Sequence, residues 1–116
     1  MTSENILKIA AKALDDKKAS DISVLKIDEI SSLAEYFLIA TASSSTHVRA
    51  LNDEVEEKLA ENDVLPLHKE GKSTGWNILD YGSVIVHIFT AHDREYYDLD
   101  RMWADAEIID LDSILA

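Results

Sequence analysis

The side chains with most chemical reach in this chain are four histidines, a run of serines and a crowded stretch, "DREYYDLDRMW", at residues 93 to 103. His47, His68, His87 and His92 supply no pair three to five apart on a helix with a third ligand in place, and no His-Glu-x-x-His pattern occurs, so their spacing builds no metal site. A serine nucleophile needs a base and an oxyanion hole, commonly announced by Gly-x-Ser-x-Gly; Ser83 has Gly82 before it and no second glycine. The stretch "ATASSSTHV" leads from a strand into a helix start, where free amides favour anions. It lacks the glycines that let a phosphate approach the backbone, and Ser44, Ser45 and Thr46 read as capping residues. Nucleotidyl transfer would need paired carboxylates holding metal near that loop. The two Asp-Leu-Asp triplets, at 98 to 100 and 110 to 112, lie near the C-terminal end, and on a helix their carboxylates diverge. The acids that such a transfer needs are therefore not in place beside the loop, and the pattern calls for no cofactor.

His87 stands apart, between Ile85 and Phe89 on one face of an apolar strand. That is the usual setting of a core histidine satisfied by a carboxylate or carbonyl, with a base or the edge of a binding face as the alternatives. The aromatics suit a surface better than a reaction. Trp76, Tyr81, Tyr96, Tyr97 and Trp103 are five of the eight, and tyrosine, tryptophan and arginine dominate binding hot spots. On a helix through 93 to 103, Tyr96, Leu99 and Trp103 share one face and Arg94, Tyr97, Asp98 and Arg101 another. Trp103 and one of the tyrosines are expected to enter the core.

Charge narrows the partner. With 23 acids against 11 bases the formal net is −12, which repels phosphate backbones and favours basic partners, so no direct nucleic-acid binding is expected. Residues 92 to 116 hold eight carboxylates against Arg94 and Arg101, a local net of −6, and 107 to 116 read as a flexible acidic tail. At 116 residues and 47% hydrophobic, the chain suits one domain spanning 1 to 116. It has no cysteine for a disulfide or thiolate site. The first residues alternate charge with short apolar runs, unlike a signal peptide, and no run approaches the roughly 20 apolar residues of a membrane span. A cytoplasmic protein without a membrane partner is expected.

The elements that position these groups follow from periodicity. Ser3 is placed to cap a helix from about 4 to 17 with Ile6, Leu7, Ala10, Ala13 and Leu14 on one side. "DISVLKID" at 21 to 28 reads as a strand, and "EYFLIATA" at 35 to 42, apolar on both alternating faces, as a central one. After the serines, Val48, Leu51, Val55 and Leu59 recur at helical steps. "LPLHKEG" then returns as a strand, close enough for one right-handed crossover. "WNILDYGSVIVHIFT" forms a hairpin turning at Tyr81, Gly82 and Ser83, with Ile85, His87 and Phe89 on one face of its second strand. Helix, two strands, helix, three strands and helix make an α/β domain: a mixed, roughly five-stranded sheet with helices packed on it, which resembles a nucleotidyltransferase-like core without catalytic acids.

The stretches "YFLIATASSSTHVRALNDEVEEKL" and "EGKSTGWNILDYGSVIVHIFTAHDREYYDLDRMWADA" resemble the ribosomal silencing factor family, also called Iojap-like proteins. The most specific part is the ordered series Glu70-Gly71, Trp76, Leu79-Asp80-Tyr81-Gly82, Val86-His87-Ile88-Phe89, Arg94 through Leu99, and Trp103 through Ala106. The resemblance implies a non-enzymatic repressor of translation. Such a protein binds the large ribosomal subunit through that subunit's fourteenth protein, a basic one, and keeps the small subunit from docking when nutrients are scarce. It also implies a docking surface of Trp76, Asp80, Tyr81, His87, Arg94, Tyr96, Tyr97 and Asp98, with Asp93 and Glu70 as weaker candidates, and it allows a homodimer. A homodimeric acidic adaptor for another basic protein and a divergent nucleotidyltransferase-like enzyme are the competing readings. Lys26, Ser83, Ala42, Thr46 and His47 depart from the family's usual residues, which bears on contacts near 42 to 47 and 83.

Overall fold

Thr2 opens the first helix. Its Oγ1 accepts from the Asn5 backbone N–H at 3.2 Å, and α1 runs Ser3–Asp16, so the cap falls one residue before the expected Ser3. In the computed structural model, which describes residues 1–73 and 75–116 apart from the side chains of Lys72 and Ser73, there follow β1 (Ser20–Lys26), β2 (Tyr36–Ala42) and α2 (Ser45–Ala60). The chain continues through β3 (His68–Ser73), β4 (Trp76–Asp80), β5 (Val84–Thr90), α3 (Ala91–Tyr97), α4 (Leu99–Met102), β6 (Glu107–Ile109) and α5 (Leu111–Leu115). Ser44 caps α2 by accepting from the His47 N–H at 3.1 Å. The His47 ring ties that start to the end of α1: Nδ1 accepts from the Ser43 N–H at 2.8 Å, so the proton sits on Nε2, which donates to the Lys17 carbonyl at 2.8 Å.

The mixed sheet has six strands in the order β3-β4-β5-β2-β1-β6. Strand β2 pairs with β5 in parallel, and the other neighbours are antiparallel. As its two apolar faces require, β2 is buried at every position. The crossover from β2 through α2 does not return in the next strand, as expected, but in β5. The reason lies in composition: "VIVHIFT" is apolar on both faces and suits the centre, whereas "HKEGKS" is charged and suits the edge it occupies as β3.

The sixth strand comes from 107 to 116, where a flexible acidic tail is expected. Instead Val24 pairs with Ile109 and Leu25 with Ile108. Ile109, Leu111, Ile114 and Leu115 rest against the core beside α1, while the acids between them face outward. Four packed apolar side chains at alternating and helical steps thus outweigh the segment's charge.

Each face of the sheet has its own core. Helices α1 and α2 cover one, where Leu7, Leu14, Leu51 and Leu59 meet Leu38, Leu79, Val86 and Ile88. Ala10 and Ala11 expose no surface and let α1 lie close. Burying each such leucine contributes about 2 kcal/mol, enough for packing rather than helix propensity to fix this layer. The other face gathers Leu25, Ile27, Phe37, Ile39 and Phe89 under Leu99 and Ala106 of the C-terminal segment. That cover is partial, and the site lies in what it leaves open.

Candidate functional site

Residues directly opposite across neighbouring strands point to the same face. Trp76 lies opposite Phe89, Ile78 opposite His87 and Asp80 opposite Ile85; Phe37 and Ile39 of β2 continue these rows beside Ile85 and His87. The turn at Gly82 sets this register. Its φ of +85° is a conformation glycine adopts freely, and the Asp80 Oδ1 accepts from the Gly82 N–H at 2.7 Å. Trp76, Asp80 and His87, widely spaced in sequence, therefore share one surface. Glu70 joins it through its pairing with Ile78.

An aromatic ladder runs along that surface. The Tyr96 ring meets Tyr97 edge-on at 5.0 Å between centroids, Tyr97 rests on Trp76 at 4.5 Å, and Trp76 stacks on Phe89 at 4.9 Å. His87 meets Phe37 at 4.7 Å, and Phe37 meets Trp103 at 5.1 Å, both edge-on. Trp76 Nε1–H donates to His87 Nδ1 at 3.3 Å. Burial pushes the His87 imidazole down to about 4, so at neutral pH the ring is uncharged. With Nδ1 accepting, its proton sits on Nε2, which has no hydrogen-bond partner among the described residues. His87 is thus part of the aromatic floor of the face and the acceptor for the Trp76 indole.

The C-terminal segment covers only part of this surface. Trp76, Ile78, Asp80 and Ile85 remain half-buried, and Tyr96 is 74% exposed. Asp80, opposite Ile85, puts a carboxylate at its margin, and Glu95, Asp98 and Asp105 are acids at least partly exposed along the C-terminal segment. The result is an apolar, largely aromatic floor with an acidic border, an arrangement suited to a basic protein surface.

Two of the expected site residues stand elsewhere. Tyr81 lies on the helical face at 7% exposure, where burial, with Glu56 adding to it, pushes its phenol up to about 12. Its hydroxyl has no partner among the described residues, and it presents nothing to a partner protein. Arg94 turns inward, with only 14% of its side chain exposed, and pairs with Asp100 at 3.0 Å. Tyr96, expected beside Leu99 and Trp103, points to solvent because the helix breaks at Asp98. There φ is 50° and ψ 51°, the left-handed region that aspartate tolerates, and α3 ends as α4 begins. Tyr97 rests on Trp76 while still 37% exposed; the tyrosine that enters the core is Tyr81, and Trp103 lies against the second core as expected. Asp93 sits in the first turn of α3, capped by Thr90 Oγ1 at 3.3 Å.

Sequence reasoning overlooked Ile78 and Ile85, the half-exposed aliphatics of the floor. The signal was present in the alternation of Trp76, Ile78 and Asp80, but only the register of the hairpin joins it to Ile85, His87 and Phe89. Among the described residues no three histidine, aspartate or glutamate side chains are arranged to hold a metal ion, and no helix is long and apolar enough to cross a membrane.

Comparison with known proteins places these features in a lineage. The family model described as "Ribosomal silencing factor during starvation" matches residues 1–116. A ribosomal silencing factor of Bacillus subtilis is 42% identical over 113 residues, which cover 97% of this chain and 96% of that protein. The chloroplastic protein Iojap of Zea mays is 32% identical over 108 residues, covering 87% of this chain and 44% of its own length. A crystal structure of a Chromobacterium violaceum protein superposes with a TM-score of 0.85 at 36% identity, covering 90% of this chain and 88% of that one.

Proposed function

The chain belongs to the ribosomal silencing factor family, and from that premise we propose that it represses translation by binding the large ribosomal subunit through its fourteenth protein. The bound domain keeps the small subunit from joining. The carrying observation is the half-open sheet face of Trp76, Ile78, Asp80 and Ile85 with Tyr97 resting on Trp76; in this reading the apolar side chains are anchors and Asp80 and Asp98 pair with basic groups of the partner. A net charge of −12 disfavours seating on ribosomal RNA but speeds encounter with a basic ribosomal protein and fixes its orientation. Bulk completes the mechanism: a body of 33 × 30 × 27 Å on a joining surface obstructs it without any catalytic step. Such a protein works in the cytoplasm, where free subunits are found.

Co-sedimentation with isolated large subunits, small subunits and joined ribosomes tests this reading. Binding to large subunits, reduced at least tenfold by Tyr97→Ala in a folded protein, together with a fall in joined ribosomes when wild-type protein is added, is the expected result. No binding to any particle, or equal binding to both subunits, refutes it.

A further inference from the structure

We propose that Arg94 is a positioning residue of the docking face: it holds the broken α3–α4 segment on the sheet, and so sets where Tyr97 and Asp98 stand, without itself meeting the partner. The inference rests on the docking role proposed above. A guanidinium has five N–H donors in a rigid plane. Nε and Nη2 of Arg94 grip the two Asp100 oxygens at 3.1 and 3.0 Å. The second Nη2 donor reaches Ser23 Oγ at 2.9 Å, while Nη1 serves Thr41 Oγ1 at 2.9 Å and the Asp21 carbonyl. With all five donors engaged inside the molecule, none is left for a ribosomal protein.

The partners of Arg94 lie on three separate elements. Asp21 and Ser23 form an irregularity in β1, where the register with β2 shifts between Ser20 and Ser23 and Asp21 has a φ of 46°. Thr41 is near the end of β2, and Asp100 is in the first turn of α4. The guanidinium therefore joins the sheet to both sides of the break at Asp98.

The tie matters because the two helices of the segment are short and bury little. Helix α3 is seven residues long and buries none of them, and α4 is four residues long and buries only Leu99. Helices this short do not persist by themselves in water. The cap at Thr90 and the Tyr97 ring on Trp76 also hold α3, and Leu99 anchors α4 in the second core. Lysine cannot replace the planar fork, because one ammonium does not grip two carboxylate oxygens and also reach Thr41 and Ser23.

The test is a double-mutant cycle of Arg94→Lys and Asp100→Asn, with two readouts: co-sedimentation with isolated large subunits, and the near-ultraviolet circular dichroism of the free protein, which reports the Tyr97–Trp76 packing. Asp100→Asn is the milder change, at a side chain 39% exposed, and keeps the test open if Arg94→Lys does not fold. Positioning predicts that each single variant loses binding about tenfold. The double variant should lose no more than either, and all three should alter the aromatic band while far-ultraviolet dichroism stays native. If Asp100→Asn binds as wild type while Arg94→Lys does not, Arg94 is a contact residue and the proposal falls. It falls equally if all variants bind as wild type. If the wild-type protein binds no large subunit, the docking role fails separately, and the aromatic band alone decides: a change upholds the tie, an unchanged band overturns it.

Discussion

Acidification should weaken this fold through one buried ring. His87 is 6% exposed, packed among Phe37, Trp76 and Phe89, and burial lowers its titration from 6.5 to about 4. The unfolded chain takes up a proton as pH falls through the ordinary histidine value, while the folded chain refuses it until much lower pH. The stability tied to the neutral ring is therefore complete above about pH 6.5 and is lost as pH falls toward about 4. At 1.36 kcal/mol per unit, the change from about pH 8 to about pH 5 amounts to about 2 kcal/mol from this residue. The assay is urea unfolding followed by tryptophan fluorescence at both pH values, for wild type and His87→Gln. Glutamine keeps an acceptor for the Trp76 indole but does not titrate here. Other histidines and the carboxylates act alike in the two proteins and cancel in the difference. His87→Gln should be less stable at about pH 8 and should lose about 2 kcal/mol less than wild type on acidification. Equal losses within about 0.5 kcal/mol would refute the reasoning, since they would mean that the ring titrates as freely in the fold as outside it.

Three further outcomes are expected. Gly75→Ala places a methyl 2.6 Å from Asp93 Oδ2 and 2.7 Å from Thr90 Oγ1, at the start of α3; urea unfolding should show a loss of about 1 to 3 kcal/mol with altered Trp76 emission. Asp80→Asn keeps an oxygen for the Gly82 N–H but removes a border charge. It should cost the fold about 1 kcal/mol or less while weakening large-subunit binding most at low salt, as measured by a co-sedimentation salt series. Ile109→Asp puts an unpaired carboxylate among α5, β1 and α1; thermal or urea unfolding should reveal a loss of about 2 kcal/mol or more.

Much of the sheet was legible before the structure because its signals are local. A strand apolar on both faces had to be central, and β2 is; serines ahead of Val48, Leu51, Val55 and Leu59 had to cap a helix, and Ser44 does. The turn at Gly82 announced the β4–β5 hairpin. What escaped was decided at a distance. The inward turn of Arg94 depends on Asp21, Ser23 and Thr41, more than fifty residues away. Composition could not place the left-handed Asp98 in a run that reads as one helix, and the faces of Tyr96 and Tyr97 turn on that residue. The last ten residues misled because charge is easier to count than the four packed apolar side chains set among it.

The docking of α5 also fixes where the two ends of this chain emerge. Lys8 Nζ donates to the Ala116 carbonyl oxygen at 2.9 Å, so the final residue lies beside α1, whose first turn follows Thr2. Both ends thus sit with the helical layer, and the aromatic face looks the other way. A tether attached at either end would hold the domain by its back, and a surface coated in this way would display Trp76 and Tyr97 outward. Pulling on a tether at Ala116 would strain the α5 and β6 contacts before it disturbed the hairpin that carries Asp80.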